Sequence, residues 1–241
     1  MAVVKGAVRL LPLVLGCTIL GACGSQSNSI TSESASQVAQ QVSTALSNQH
    51  SVHLKGTIQS NGQSIALDLT AVKPKALEGS LSIAGTGGFK IATSDGNMFY
   101  LTPDDQFWQS LAQGNTFAVQ LLSGKCISAS GSTPGVGQLT NGVSEITGIL
   151  SPNAGGELSN TNGLTKGNVT TVDGQQVLPL KTTDGSVLYI ATQGQPLPVR
   201  ADAPGGGYID FSQWNSVSSV TTPTGCIDYS QLAQGLSTPT P

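Results

Sequence analysis

Reactive side chains are scarce in this chain, and their placement excludes most chemistry at once. The sequence holds two His, four Cys, 10 Lys and Arg together and 13 Asp and Glu together. His50 and His53 stand where a helical pattern gives way to a strand pattern. To hold a metal they would need further Cys, Asp or Glu nearby; none lies close in sequence, so both read as solvated imidazoles. Serine is abundant, yet no Gly-x-Ser-x-Gly nucleophile elbow occurs. Asp104-Asp105 reads as a charged turn rather than a catalytic carboxylate pair. Gly85-Thr86-Gly87-Gly88 and Gly205-Gly206-Gly207 lie between strand patterns. They lack the Lys-Ser/Thr ending and the helix of a phosphate loop, so they read as hairpin loops. These residues argue for no catalytic centre, no metal and no cofactor. The thiols remain.

Cys23 closes the run Leu20-Gly21-Ala22-Cys23, behind Lys5, Arg9 and the apolar stretch Leu10 to Leu20. A basic start, a short apolar region and small residues at a cleavage site are the layout of a secretory signal. With cysteine just after the cut, the run resembles the lipobox of bacterial lipoproteins. That resemblance implies removal of residues 1–22 as a signal peptide, acylation of Cys23, and a lipid anchor on the extracytoplasmic face of the cell membrane. A retained transmembrane helix is the alternative, but the apolar run is about half of the ~20 residues a span needs. Cys17 follows Val14-Leu15-Gly16; modification there would cut the apolar region short, so Cys23 is the better site. The run Gly24 to Ser32 is polar and small. It buries too little surface to fold and reads as a flexible tether over residues 23–33.

Once Cys17 leaves with the signal and Cys23 carries lipid, Cys126 and Cys226 remain as an even pair in an oxidising compartment. They are predicted to form a disulfide. Neither Lys125-Cys126-Ile127 nor Gly225-Cys226-Ile227 offers further metal ligands. The loop the pair would close is long, worth on the order of 4–5 kcal/mol in the chain-entropy model. The formal charge is −3 and 10% of residues are charged, against about 25% in ordinary soluble domains. There is no basic stripe, which argues against nucleic acid as a partner. No second apolar run is long enough to span a bilayer.

The elements that position these residues follow from periodicity. Val38, Val42, Ala45 and Leu46 recur at helical spacing within Ser34 to Ser47, with Ser34 or Ser36 as N-cap. Val52, Leu54 and Ile58 then share one strand face, and His53, Lys55, Thr57 and Gln59 the other. Asn61-Gly62 is a hairpin signal. Ile65, Leu67 and Leu69 alternate with polar residues, as do Leu77, Leu81 and Ile83. Phe89 and Ile91 begin a fourth strand, and Asp95-Gly96 turns into Met98 to Leu101. Five short strands with tight turns make an antiparallel meander with one apolar face. Gln106-Phe107-Trp108 reads as a strand end or loop. Phe117 to Leu122 and Val136 to Leu150 have helical spacing. Strands resume over Gly167 to Val172, Gln176 to Thr182, Val187 to Thr192, Leu197 to Asp202, Tyr208 to Trp214 and Val217 to Thr221. One domain over residues 34–231 and a flexible tail over 232–241 complete this reading.

The order of lipobox, Ser-rich tether, helix, meander, helical middle and second meander forms a recognisable pattern. It is carried by Asp95-Gly96-Asn97-Met98-Phe99-Tyr100 with Trp108, by Asp184-Gly185-Ser186-Val187-Leu188-Tyr189-Ile190, and by Gln195-Pro196-Leu197-Pro198-Val199-Arg200. Ile209-Asp210-Phe211-Ser212-Gln213-Trp214 and Val220-Thr221-Thr222-Pro223 close it. Over about residues 34–223 it resembles the mycobacterial LppX/LprAFG lipoproteins of the actinobacteria, and more loosely the lipoprotein carrier LolA. The resemblance implies an α+β fold: a strongly curved antiparallel β-sheet, a half-barrel, with helices covering the concave face. It also implies a lipid or glycolipid ligand whose acyl chains lie between sheet and helices, and envelope transport proteins as partners. The cysteine pair and the low charge depart from the family pattern. On the apolar sheet face, Leu54, Ile58, Ile65, Leu67, Leu69, Leu81, Ile83, Phe89 and Ile91 are the ligand-cavity candidates. Burial of an acyl chain there gains about 0.8 kcal/mol per methylene. A solidly packed sheet, serving as a structural or protein-interaction module of the envelope, is the second reading.

Overall fold

The computed structural model describes residues 27–60, 62–111, 116–133, 136–150 and 162–232. The signal segment, Cys17, Cys23, Asn61 and residues 233–241 lie outside these. Among the described residues the chain begins with a short 3-10 turn, Ser29–Thr31, and helix α1, Ala35–Ser47. The Ser34 side chain accepts from the Gln37 backbone, and the Gln37 side chain accepts from the Ser34 backbone, a complete capping box. Val38, Ala39, Val42, Ala45 and Leu46 are buried, so the predicted apolar stripe is the packed face.

Five strands follow: β1 Ser51–Ser60, β2 Gln63–Val72, β3 Ala76–Ile83, β4 Gly87–Thr93 and β5 Met98–Pro103. The register pairs Ser60 with Gln63, which fixes the tight hairpin that Asn61-Gly62 signals. Next come α2 Asp105–Leu111, α3 Thr116–Leu122, β6 Ile127–Ser130 and α4 Gly137–Gly148. The second half contributes β7 Thr165–Lys166, β8 Thr170–Val172, β9 Gln175–Lys181, β10 Val187–Ala191, β11 Pro198–Asp202, β12 Gly207–Ser212 and β13 Ile227–Asp228.

All thirteen described strands join one sheet in the order β13-β6-β5-β4-β3-β2-β1-β12-β11-β10-β9-β7, with β8 beside β9. The first and last strands do not meet, so the sheet is an open, curved half-barrel and the fold is α+β. Every pairing is antiparallel except β6 with β13. The apolar residues form rows across the concave face. One row runs Phe211, Leu54, Leu69, Gly79, Ile91, Leu101 and Ile127; the next runs Ile209, Gly56, Leu67, Leu81 and Phe89. Two glycines in these rows permit the bend. A Cβ on Gly56 would lie 2.0 Å from the Tyr208 carbonyl oxygen, and one on Gly79 (φ +144°) 2.1 Å from that of Asp68. Glycine at such points lets neighbouring backbones approach and the sheet curve.

The helices cover the concave side in three places. Buried α1 residues pack with Ile30, Leu178, Leu180 and Ile190, over the second half of the sheet. Val143 and Leu150, from α4 and its end, join Leu54, Leu69, Leu77 and Phe99. Trp108 of α2 packs with Leu122 of α3 and Ile127 of β6.

Strands β6, β7 and β13 are not expected from the sequence, and three further segments differ from its reading. Gln106-Phe107-Trp108 is helical, because Asp104 Oδ1 accepts the Phe107 backbone N–H at 2.7 Å and caps the turn. The charged turn is thus a helix start. Val217 to Thr221 forms no strand; two residues of left-handed backbone, Gln213 and Asn215, turn the chain out of the sheet beforehand. The polar run ahead of α1 docks earlier than a tether over residues 23–33 would allow. Ser27 bridges Gln193, the Asn28 backbone N–H donates to the Thr192 carbonyl at 2.9 Å, and Ile30 is fully buried. Lys166 Nζ secures this segment through the Thr31 and Glu33 carbonyls.

Candidate ligand-binding cavity

A cavity of about 300 Å³ lies between the second half of the sheet and the helices. Its walls are Ile58 from β1, Ile209 and Phe211 from β12, Pro198 and Ala201 from β11, and Leu188 from β10. Leu46 of α1 and Ile149 after α4 close it from the helix side. The inner end is buried at Leu46 and Pro198. The rim comprises Thr182, Ser186, Asp202, Ala203 and Tyr208, at the β9–β10 and β11–β12 turns. Tyr208 is 42% exposed. Its ring lies under the Arg200 guanidinium at 4.7 Å on the convex face, where the register aligns Arg200 with Asp210 and Lys55. Arg200 is fixed in turn by Asp210 at 2.6 Å and Asp173 at 3.0 Å. The hydrogen bond to Asp210 is the main cause that raises its pKa further. The Phe211 ring stacks on Trp214 at 6.2 Å, which sets the inner wall.

The nine candidates from the first meander divide by depth. Ile58 lines this cavity. Leu54, Leu67, Leu69 and Ile91 are buried in the main core, with Leu81 and Phe89 packed against it. Ile65 and Ile83 are half-buried near the open end of the same face. Sequence reasoning did not single out the lining from β10, β11 and β12. The signal was present in the alternation of Leu188 and Ile190 with Val187 and Tyr189, and in Ala201, a small side chain on an inward position.

The convex face carries the polar partners. His53 stands opposite Ser212 on β12 and diagonal to Asp68 on β2. Its Nδ1 is 3.0 Å from Ser212 Oγ and its Nε2 is 2.7 Å from Asp68 Oδ1. Lys55 Nζ meets the other Asp68 oxygen at 3.2 Å. The His53 hydrogen bond is the first cause that holds Asp68 below the ordinary carboxylate range; burial opposes it, and Lys55 adds to it. With the side chain of His53 only 19% exposed, this imidazole is not the solvated one its sequence context suggests. It joins neighbouring strands through opposite and diagonal pairs, which carry sheet stability. His50 remains exposed.

A strap of chain, residues 213–226, leaves β12 and crosses to β13 on the far side of the sheet. The Asn215 and Val217 backbone N–H groups donate to the Ser51 carbonyl and hydroxyl. Gln213 and Pro223 border an outer hollow shared with His53, Glu78, Lys90 and Tyr100. The Cys126–Cys226 disulfide, with an S–S distance of 1.99 Å, fastens the far end. The predicted pairing is the one observed. Among the described residues no group of three or more His, Cys, Asp or Glu could hold a metal ion, and no helix is long and apolar enough to cross a membrane.

No family model and no curated protein matches the sequence. Solved structures match it in shape. LprF from Mycobacterium bovis aligns over 83% of this chain and 100% of its own, with a TM-score of 0.55 and 15% sequence identity. The chain has the LprF fold. This is the fold of the LppX/LprAFG group that the strand-and-turn pattern resembles. Looser similarities extend to the MucA/MucB complex of Pseudomonas aeruginosa, over 76% of this chain and 58% of that one at 14% identity and a TM-score of 0.36. A putative outer membrane lipoprotein-sorting protein domain from Vibrio parahaemolyticus aligns over 83% of this chain and 97% of its own, at 9% identity and a TM-score of 0.26. At 15% identity the LprF likeness is one of backbone and not of lining residues.

Proposed function

We propose that this protein is anchored through an acylated Cys23 on the extracytoplasmic face of the cell membrane, and that it binds and carries a lipid or glycolipid by enclosing an acyl chain in the concave cavity. The observation that carries the reading is the apolar cavity between sheet and helices. Its volume of about 300 Å³ sits at the lower end of the range for ligand pockets. It corresponds to roughly ten water-sized groups, which suits one acyl segment rather than several chains. Ten buried methylenes would gain about 8 kcal/mol gross, before the costs of ordering. Affinity then needs no polar recognition inside the cavity. At the rim, the Thr182 and Ser186 hydroxyls, both donating to the Asp184 carboxylate, offer polar partners to the head of the ligand.

The test is mass spectrometry of protein purified from membranes. A bound acylated molecule and a lipidated N-terminal peptide beginning at Cys23 are expected. Ala201→Trp fills the cavity from an inward position. It should abolish the co-purifying lipid while the circular dichroism spectrum stays unchanged. Recovery of no lipid with the native chain, or undiminished lipid with the Trp variant, would sink the reading.

A further inference from the structure

The cavity mouth and the start of the folded body lie at opposite ends of the same strand. Ser27 bridges Gln193, and Asn28 Nδ2 donates to the Ala191 carbonyl, just past the C-terminal end of β10. The rim residues Ser186 and Ala203 lie at the N-terminal end of β10 and in the adjoining β11–β12 turn. At about 3.3 Å per residue, Ser186 and Gln193 stand about 20 Å apart. From Cys23 to Ser27 the chain reaches at most about 14 Å when fully extended.

These lengths decide the orientation. With the strands upright and the mouth facing the bilayer that holds Cys23, Ser27 would stand about 20 Å above that surface, farther than the connecting chain can reach. Laying the sheet flat turns the mouth sideways, into water. Standing the molecule on its Ser27 end points the mouth directly away. We infer that the acylated ligand enters and leaves at the membrane-distal end, so that the anchoring bilayer is not its direct donor or acceptor. This inference rests on Cys23 as the anchor and on the concave cavity as the acyl site. It adds a direction to both: the protein serves lipid exchange with a surface other than its own membrane.

The experiment uses the full lipidated chain on dense, sucrose-loaded phosphatidylcholine vesicles, mixed with light protein-free vesicles. The probe is a phospholipid bearing a pyrene-labelled acyl chain. Placed in the light vesicles, it should move to the dense fraction up to one probe per protein and stop there. Placed in the anchoring bilayer, it should reach light vesicles no faster than in protein-free controls. A second chain carries about twelve Gly and Ser residues between Ser25 and Gln26, which brings the r.m.s. reach to about 20 Å. In it, export from the anchoring bilayer should rise about tenfold or more, as expected when a linker comes to span its sites. Equal export by the native and lengthened chains, above the protein-free control, would overturn the inference and leave lipid binding standing. Absence of protein-dependent uptake from either vesicle by both folded chains would overturn the lipid-binding reading itself, and the inference with it.

Discussion

At the residue scale, the convex face shows how a charge-poor protein uses its few charges. Asp68 accepts from His53 and Lys55 at once, and the first of these is the main reason its carboxyl is depressed below its ordinary range. A folded-state pKa below the unfolded value of about 3.9 favours the native state when the group is ionised. The stabilisation is therefore present above about pH 4 and is lost as pH falls through the lower folded value. Asp68→Asn removes it. The melting temperature of this variant should lie below that of the native chain at neutral pH, with the gap closing as pH falls below about 4. Asp95, Asp184 and Asp228 are also depressed, but they are common to both chains and cancel in the difference. A gap independent of pH would place the effect of Asp68 in packing rather than in its charge.

At the element scale, two substitutions of similar size should differ in cost because they act on different physics. Ser34→Ala removes one capping hydrogen bond at an exposed helix start and should cost about 1 kcal/mol. Gly56→Ala drives a methyl group into the backbone of Tyr208 and Ile209, at 2.0 and 2.9 Å. No flexible side chain can yield there, so β1 and β12 must part, and the cost should reach about 3 kcal/mol, the upper end for overpacking. Urea unfolding measures both through the midpoint at constant slope; a Gly56→Ala cost near that of Ser34→Ala would show that the sheet does not need this close approach. The capped helix and the first meander were legible in sequence because their periods are unbroken: Ser34 precedes a helical stripe, and β1 to β3 alternate cleanly. Helix α2 was not legible, since Gln106-Phe107-Trp108 reads equally as strand end or loop until the Asp104 cap is seen. The end of the sheet was misplaced because Gln213 and Asn215 adopt left-handed backbone, which nothing in their neighbours announces. The half-barrel itself was expected only through the family resemblance that the strand-and-turn order carries. The place of the cavity depends on how far α1 and α4 stand from β10 to β12, a distance no local pattern encodes.

At the scale of the whole molecule, the sheet separates two tasks by face. The concave side holds the apolar cavity, and the convex side carries the strap that joins β12 to β13. The disulfide closes that strap across a sequence separation of 100 residues. Its chief effect is to limit the unfolded chain, worth about 2–5 kcal/mol for a native bridge. None of the cavity-lining residues belongs to the strap, although Trp214 stacks on the lining Phe211 near its start. Stability and binding should therefore respond separately when the bridge is removed. The paired variant Cys126→Ser with Cys226→Ser should lose about 2–5 kcal/mol in urea unfolding. Acyl-ligand occupancy per folded molecule, measured well below the unfolding transition, should match that of the native chain. A fall in occupancy while the fold is intact would mean that the strap shapes the cavity through Trp214 and Phe211, and that the two faces work as one unit.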